Sequence, residues 1–204
     1  MAQQTQFQVP TADQSHNFNV VAGSTTNVGT TLENLKAAVA GETGANAKYE
    51  TFSKAAADRG FDQASRLFAA AAAAERIHIA LETKLVQAQE PDFKGPEPTP
   101  VSSEATDLDL IGAALGEIHE TSDMYPSFIR RAQEEGDAAA VQVFTRAKLA
   151  EAFHAERYLD AYNQIDNPSD ETYYVCPVCG YIHKGSDIGR CPVCGAMPQA
   201  FKAF

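Results

Sequence analysis

The second helical stretch of this chain repeats the first. Gly41-Glu42 matches Gly116-Glu117 at an offset of 75; beyond that the offset is 76, pairing Tyr49 with Tyr125, Phe52 with Phe128, Gly60 with Gly136, Phe68 with Phe144, Glu75 with Glu151 and His78 with His154. Chance gives one or two such matches, not an ordered series containing both histidines. Two related helical hairpins packed face to face would bring the repeated polar residues together at a pseudo-twofold axis. The repeat thus locates a site before any chemistry is assigned.

Helix formers run from Thr31-Leu32-Glu33-Asn34 to Arg59-Gly60, where Gly60 is a C′ stop. A second helix is predicted from Phe61 to Gln89; its Ala69–Ala74 run suits close helix packing or simply reflects high helix propensity. Pro91, Gly95, Pro96, Pro98 and Pro100 then forbid helix. A third helix is expected over Ser103–Glu135, ended by Gly136, and a fourth over Asp137–Ile165, with Asn167-Pro168-Ser169 closing the helical region. Short, long and short connections between four helices match an all-α, ferritin-like bundle with one crossover. The expected organisation is a bundle over 31–167 and a small metal-binding domain over 171–204. Residues 1–30, polar and without helical period, form an extension that is disordered or lies on a partner.

The 16 Lys and Arg against 27 Asp and Glu give a formal charge of -11, which argues against nucleic acid and anionic membrane as partners. Metal-ligating carboxylates inflate such an acidic count. No run approaches the roughly 20 apolar residues that cross a bilayer. No Lys or Arg precedes Lys36 and no apolar signal segment is present, so a cytoplasmic protein is expected.

Glu75-Arg76-Ile77-His78 and Glu151-Ala152-Phe153-His154 are two ExxH motifs. Three residues along a helix turn about 300°, so Glu and His share a face and can hold one ion or two adjacent ones. One such motif reads more naturally as a surface Glu with an incidental His. Two in register, each opposed by a Glu on the preceding helix (Glu42 and Glu117), match the di-metal carboxylate pattern already familiar from ferritin-like bundles. Mixed imidazole and carboxylate ligation suits iron or manganese, with iron favoured for redox work. Glu120, one turn beyond Glu117, has no acidic counterpart in the first hairpin, where Gly44 and Ala45 stand. The residue that lengthens the offset falls between Glu117 and Tyr125, and an insertion absorbed inside a helix commonly makes a π-bulge. His119, between the two glutamates but off their direction, reads as a surface or neighbouring histidine.

All four cysteines lie in two knuckles, Cys176-Pro177-Val178-Cys179-Gly180 and Cys191-Pro192-Val193-Cys194-Gly195, separated by 11 residues. Two disulfides are the competing reading in a secreted protein. Paired CxxC motifs without a signal segment favour a closed tetrahedral site for iron, with zinc as a substitute or as the ion of a structural ribbon. Tyr174, Tyr181 and Phe201 are expected to form a small aromatic core beside it, with His183 on its surface.

Taken together, Gly41–Tyr49, the two ExxH motifs, Gly116–Glu120, Met124–Phe128 and the two CPVCG knuckles resemble the rubrerythrin family over nearly all of Thr31–Phe204. The resemblance implies Glu75 and Glu151 as bridging carboxylates, with Glu42, Glu117 and His154 as terminal ligands. It implies that Glu120 and His78 alternate on one iron, oxidised and reduced respectively, and that Tyr49 and Tyr125 donate to the carboxylates. It further implies a peroxidase that reduces hydrogen peroxide to water. Electrons would come through Cys176, Cys179, Cys191 and Cys194 from a rubredoxin or NAD(P)H-dependent reductase. The family pattern is a homodimer with the rubredoxin-like domain of one subunit near the di-iron site of the other. A ferroxidase or iron-storage protein, a dioxygen-reducing protein and a zinc-stabilised interaction module are the competing functions.

Overall fold

The computed structural model describes residues 23–204, so most of the polar extension lies outside the described residues. Helix α1 spans Thr31–Asp58 and starts on a capping box, in which the Thr30 hydroxyl accepts from Glu33 N and Glu33 reaches back to Thr30 N. Helix α2 is Asp62–Gln87. After the proline-rich crossover come α3 (Thr106–His119), a π-helical turn (Glu120–Met124) and α4 (Tyr125–Glu135), which run on as one interrupted rod. Gly136, with φ 74°, ends the rod in the left-handed conformation that glycine adopts without strain. Helix α5 spans Ala138–Asn163 and is capped by the Asp137 side chain on Ala140 N.

The third helix begins at Thr106, not Ser103, because the residues before it are held differently: Asp109 takes Ser103 Oγ at 2.5 Å and Glu104 N at 3.0 Å. The π-turn falls where the extra residue of the second hairpin predicts it. Its Asp123 accepts from Thr25 N at 3.0 Å and from the Ser24 hydroxyl, so the last part of the polar extension is pinned to the interrupted helix.

The bundle interior is aromatic and alanine-rich. Phe52, Phe68, Tyr49 and Tyr158 pack around Ala70, Ala71, Ala72 and Ala74 of α2, which bring the helices close. A second cluster around Tyr125, Phe128 and Phe144 closes the other end. The C-terminal module is a three-stranded antiparallel sheet in the order β2-β1-β3, with β1 Tyr173–Val175, β2 Ile182–Lys184 and β3 Lys202–Ala203. Tyr173, Val175 and Ile182 join the bundle core, so the module is seated on the helices. Strand alternation turns the half-buried Tyr174 to the opposite face. The expected aromatic trio therefore needs correction: Phe153 of α5, not Tyr174, packs with Tyr181 and Phe201, its ring 4.7 Å from that of Tyr181.

Candidate metal centres

Six helical side chains meet in the middle of the bundle. Glu42 comes from α1, Glu75 and His78 from α2, Glu117 from α3, and Glu151 and His154 from α5, all essentially without solvent exposure. They form two overlapping donor groups, Glu42–Glu75–His78–Glu151 and Glu75–Glu117–Glu151–His154, in each of which the donor atoms lie within 4.8 Å of one another. Glu75 and Glu151 belong to both.

The histidines are aimed by backbone from the C-terminal module. His78 Nε2 lies 3.0 Å from the Cys179 carbonyl and His154 Nε2 lies 2.9 Å from that of Gly180. A carbonyl only accepts, so each Nε2 carries the hydrogen and each Nδ1 is turned to the carboxylates. His78 Nδ1 lies 2.6 Å from Glu151 Oε1 and His154 Nδ1 lies 2.5 Å from Glu151 Oε2. Several of these atoms have no aligned hydrogen-bond partner, among them Glu42 Oε2, Glu75 Oε1, both oxygens of Glu151 and His154 Nδ1. Buried donors so close and yet misaligned with one another converge on shared centres, which is the arrangement a pair of cations satisfies.

The electrostatics agree. Burial, then the charges of Glu120, Glu75 and Glu151, push Glu42 well above the usual carboxylate range. Burial, then Glu151 and Glu75, do the same to Glu117 and Glu120, and burial with Glu151 raises Glu75. Glu151 goes the other way: against burial, the two imidazoles hold it below its ordinary value. Against burial too, Glu151 and Glu75 raise both histidines. So many buried carboxyls demand either protons or metal cations.

Two tyrosines brace the outer carboxylates across the hairpins. Tyr49 donates to Glu117 Oε1 at 2.6 Å, and Tyr125 donates to Glu42 Oε1 in a short bond. Glu120 is half-buried and belongs to neither donor group, although Glu42 feels its charge more than that of any other residue. Lys48 is its stabilising cation. His119 is exposed, 3.7 Å from Asp123. Two groups went unread in the sequence, Glu82 and Lys148, both with no solvent exposure. Glu82 had a signal: it lies one turn beyond His78 on the same face of α2, yet its repeat mate is Tyr158.

At the other centre, Cys176, Cys179, Cys191 and Cys194 are free thiols whose sulfurs lie within 4.8 Å of one another. The Cys176–Cys194 and Cys179–Cys191 pairs are each 3.5 Å apart, far beyond a disulfide bond. A tetrahedral site with metal–sulfur bonds of about 2.3 Å has sulfur–sulfur edges of about 3.8 Å, so the cluster needs little adjustment to close on an ion. Hydrogen bonding from Cys176 and Cys179 holds the Cys191 thiol well below its ordinary value. His183 is not part of this cluster; it pairs with Asp187 at 3.0 Å.

The knuckle that bears Cys179 and Gly180 belongs to the same chain as the histidines it touches. In this structure the nine residues Gln164–Thr172 lead from α5 straight into β1, which packs back onto α2.

A four-helix bundle with a carboxylate–histidine di-metal site, joined to a four-thiolate site, defines a redox metalloprotein of the di-iron carboxylate class. The chain belongs to the rubrerythrin family, an iron-binding oxidoreductase family: residues 33–162 match the rubrerythrin family model and 174–202 match the rubrerythrin rubredoxin-like domain. It is 59% identical to nigerythrin of Nitratidesulfovibrio vulgaris over 97% of this chain and 98% of that protein. Rubrerythrin of the same organism is 36% identical over 83% of this chain and 91% of its own length. A fully reduced, all-ferrous nigerythrin structure covers 97% of this chain and 98% of its own, with a TM-score of 0.91. No helix among the described residues is long and apolar enough to cross a membrane.

Proposed function

We propose that this protein is a cytoplasmic peroxidase that reduces hydrogen peroxide to water. Its electrons would pass from a rubredoxin or an NAD(P)H-dependent reductase through the four-cysteine site. The observation that carries the reading is the paired contact of the Cys179 and Gly180 carbonyls with His78 and His154, which joins a one-electron relay to a two-electron site through hydrogen bonds. Iron bound at both centres supplies the redox chemistry, a pair of ferrous ions holding the two electrons that cleavage of an O–O bond takes up.

The residues divide the remaining work. Glu75 and Glu151, shared by both donor groups, would hold both ions, with Glu42, Glu117 and His154 as the further ligands. His78 and Glu120 would serve one iron in different oxidation states, since neutral imidazole suits ferrous iron and a carboxylate suits ferric iron. Glu120 next to a full donor set, held near Lys48 and backed by a π-turn, supports that exchange. Tyr49 and Tyr125 hold the outer carboxylates in place. On the family pattern two copies associate, which the mass in solution tests.

The test is single-turnover mixing of chemically reduced, iron-replete protein with peroxide. Wild type should reoxidise, and Cys191→Ser should reoxidise equally fast yet lose turnover driven by a reductase. Loss of neither step in Cys191→Ser, or no reaction of the reduced wild type with peroxide, overturns the reading. A red colour that bleaches on reduction is expected of the cysteine site; colourless protein with zinc alone there removes the relay. Glu120→Ala should keep ferrous binding and weaken the oxidised state.

A further inference from the structure

The π-turn Glu120–Met124 is held from two sides. Tyr125 N donates to the Glu120 carbonyl, the wide i→i+5 bond that closes the turn on Glu120 itself. Within the rod, the Thr121 hydroxyl donates to the Glu117 carbonyl at 2.9 Å and the Ser122 hydroxyl to that of Ile118 at 2.6 Å. These side chains satisfy carbonyls that an extra residue in a helix pulls out of alignment. On its other side the turn offers Asp123, buried against Ser24 and Thr25.

The segment 24–31 is a strap along α4. At one end Ser24 Oγ and Thr25 N both donate to the Asp123 carboxylate, the second at 3.0 Å, and Thr26 N donates to Ser24 Oγ at 3.3 Å. At the other end Thr31 N donates to Glu135 Oε2 at 2.9 Å. Asn34 fixes Gly29 there through its N–H at 2.9 Å and its carbonyl at 3.3 Å. Between the anchors, Ser24 and Val28 line a cleft with Ser127, Arg130 and Arg131 of α4. The path from Ser24 to Thr31 spans about 23 Å when extended. The helical rise from Asp123 to Glu135 is about 18 Å. The strap therefore has little slack, and the π-turn cannot shift far along the rod without breaking its bonds to Ser24 and Thr25.

Against burial, the bonds from Ser24 and Thr25 hold Asp123 below its ordinary value. The exposed His119 lies 3.7 Å away on the same side. The first hairpin has Ala47 and Lys48 where the repeat sets Asp123, so this anchor belongs to the hairpin that carries Glu120.

We infer that Asp123, fastened to the strap 24–31, positions Glu120 by fixing the π-turn from outside the rod and so setting where the Glu120 carboxylate stands beside the di-metal donors. The inference rests on the reading of Glu120 as a ligand of the oxidised site. Glu120 lies outside both donor groups, so it reaches an ion only by moving. A turn clamped at Asp123 confines that movement to the side chain. Both Asp123 oxygens are taken by the strap, which makes it a positioning residue and not a ligand.

Hydrogen exchange of the reduced, iron-loaded chain tests the clamp in the state where Glu120 is off the metal. Amides of residues 121–125 should exchange about 10-fold faster in Asp123→Ala than in wild type, with those of α2 and α5 unchanged. Ser24→Ala should speed exchange less, because Thr25 N keeps its bond. Ser24→Thr, which retains the hydroxyl, should restore the wild-type value. Unchanged exchange of the π-turn in both alanine variants overturns the inference. Faster exchange across the whole bundle overturns it too, by making Asp123 a general prop.

The oxidised protein reads the consequence. Asp123→Ala should keep its bundle iron, shift the oxidised di-iron absorption spectrum and slow single-turnover oxidation by peroxide several-fold. In a Glu120→Ala background the same change should add nothing, since the group being positioned is gone. An equal slowing in that background overturns the inference. The two possible failures look different. A silent Glu120→Ala with a loosened turn removes the ligand reading, whereas a spectrum sensitive to Glu120 with an unloosened turn removes the clamp.

Discussion

In the first hairpin Glu42 accepts from Tyr125, whose oxygen also reaches Glu82; in the second Glu117 accepts from Tyr49, and Tyr158 stands where Glu82 would be. The first hairpin is two uninterrupted helices, whereas the second carries a π-turn and Glu120. The repeated residues build a near-symmetric donor set, and Glu82, Glu120 and the π-turn depart from that symmetry. A duplicated scaffold can hold two ions; the unrepeated residues are what make the two positions chemically different.

The largest break in the comparison should come from the two central carboxylates. Glu75 and Glu151 are repeat mates, yet Glu151 lies 2.6 and 2.5 Å from the two histidine Nδ1 atoms and Glu75 lies 3.1 and 3.8 Å from them. Glu151→Ala should abolish iron binding in the bundle, and Glu75→Ala should leave a residual single ion. Helical content should be largely kept in both, since the apolar clusters are untouched. Metal analysis of the two variants checks this, and equal retention of two ions in both would remove the bridging assignment.

A smaller effect follows from removing the metal, and its sign is fixed by the buried acids. Glu42, Glu75, Glu82, Glu117 and Glu120 are all raised above their ordinary value of 4.5, chiefly by burial. Above 4.5 the unfolded chain has shed these protons while the folded, metal-free chain still holds them. Stability must therefore fall as pH rises, with a slope of up to about 1.4 kcal/mol per pH unit for each such group. The raised histidines add to the same trend above 6.5, because the stability they give below that value is lost as pH climbs through their folded values. Within this cluster Glu151 is the carboxyl that is lowered, and the stability it contributes is lost only in acid, below the range of the trend. Thermal melts of metal-free protein should show the melting temperature dropping from about pH 5 to pH 8, and iron loading should flatten the curve. A metal-free protein that grows more stable over that range would show that these acids are not protonated in the fold.

How much of this was legible in the sequence depends on the kind of signal. Helix number, the crossover and the π-turn could be read, because Gly60, Gly136, the proline run and the shift in repeat offset are local and strong. Glu75, His78, Glu151 and His154 could be read because a repeat and an ExxH spacing both mark them, and Glu42 and Glu117 because the repeat sets them opposite. Glu82 escapes both marks, since it belongs to no ExxH motif and matters through not being repeated. Tyr174 reads as part of the aromatic core because it flanks the first knuckle; only strand register separates its face from that of Tyr173. The carbonyls that aim the histidines were invisible in principle, since every residue has one and only the folded path of the knuckle brings Cys179 and Gly180 to α2 and α5.

The knuckles form a second repeated pair, and they sharpen the comparison at the smallest scale. Gly180 and Gly195 hold matching positions with φ of 79° and 76°, so alanine at either costs about 1–2 kcal/mol from backbone strain alone. Their surroundings differ. A Cβ on Gly195 would meet nothing within 4 Å, whereas one on Gly180 would lie 2.5 Å from His78 Nε2 and 3.1 Å from its Cε1. The His78 ring is flanked by Glu75 and Glu151, so it has little room to retreat. Gly195→Ala should therefore lower stability slightly and leave both centres unchanged. Gly180→Ala should also displace His78, lengthening its bond to the Cys179 carbonyl and weakening reductase-driven turnover several-fold while peroxide oxidation of the chemically reduced site slows less. Because the nearest atoms to that Cβ are all of His78, the disturbance should be greatest in the Glu42–Glu75–His78–Glu151 group. Metal spectra of the two variants check this: identical di-iron spectra in Gly180→Ala and Gly195→Ala would mean that the knuckle rests beside the bundle without positioning its ligands.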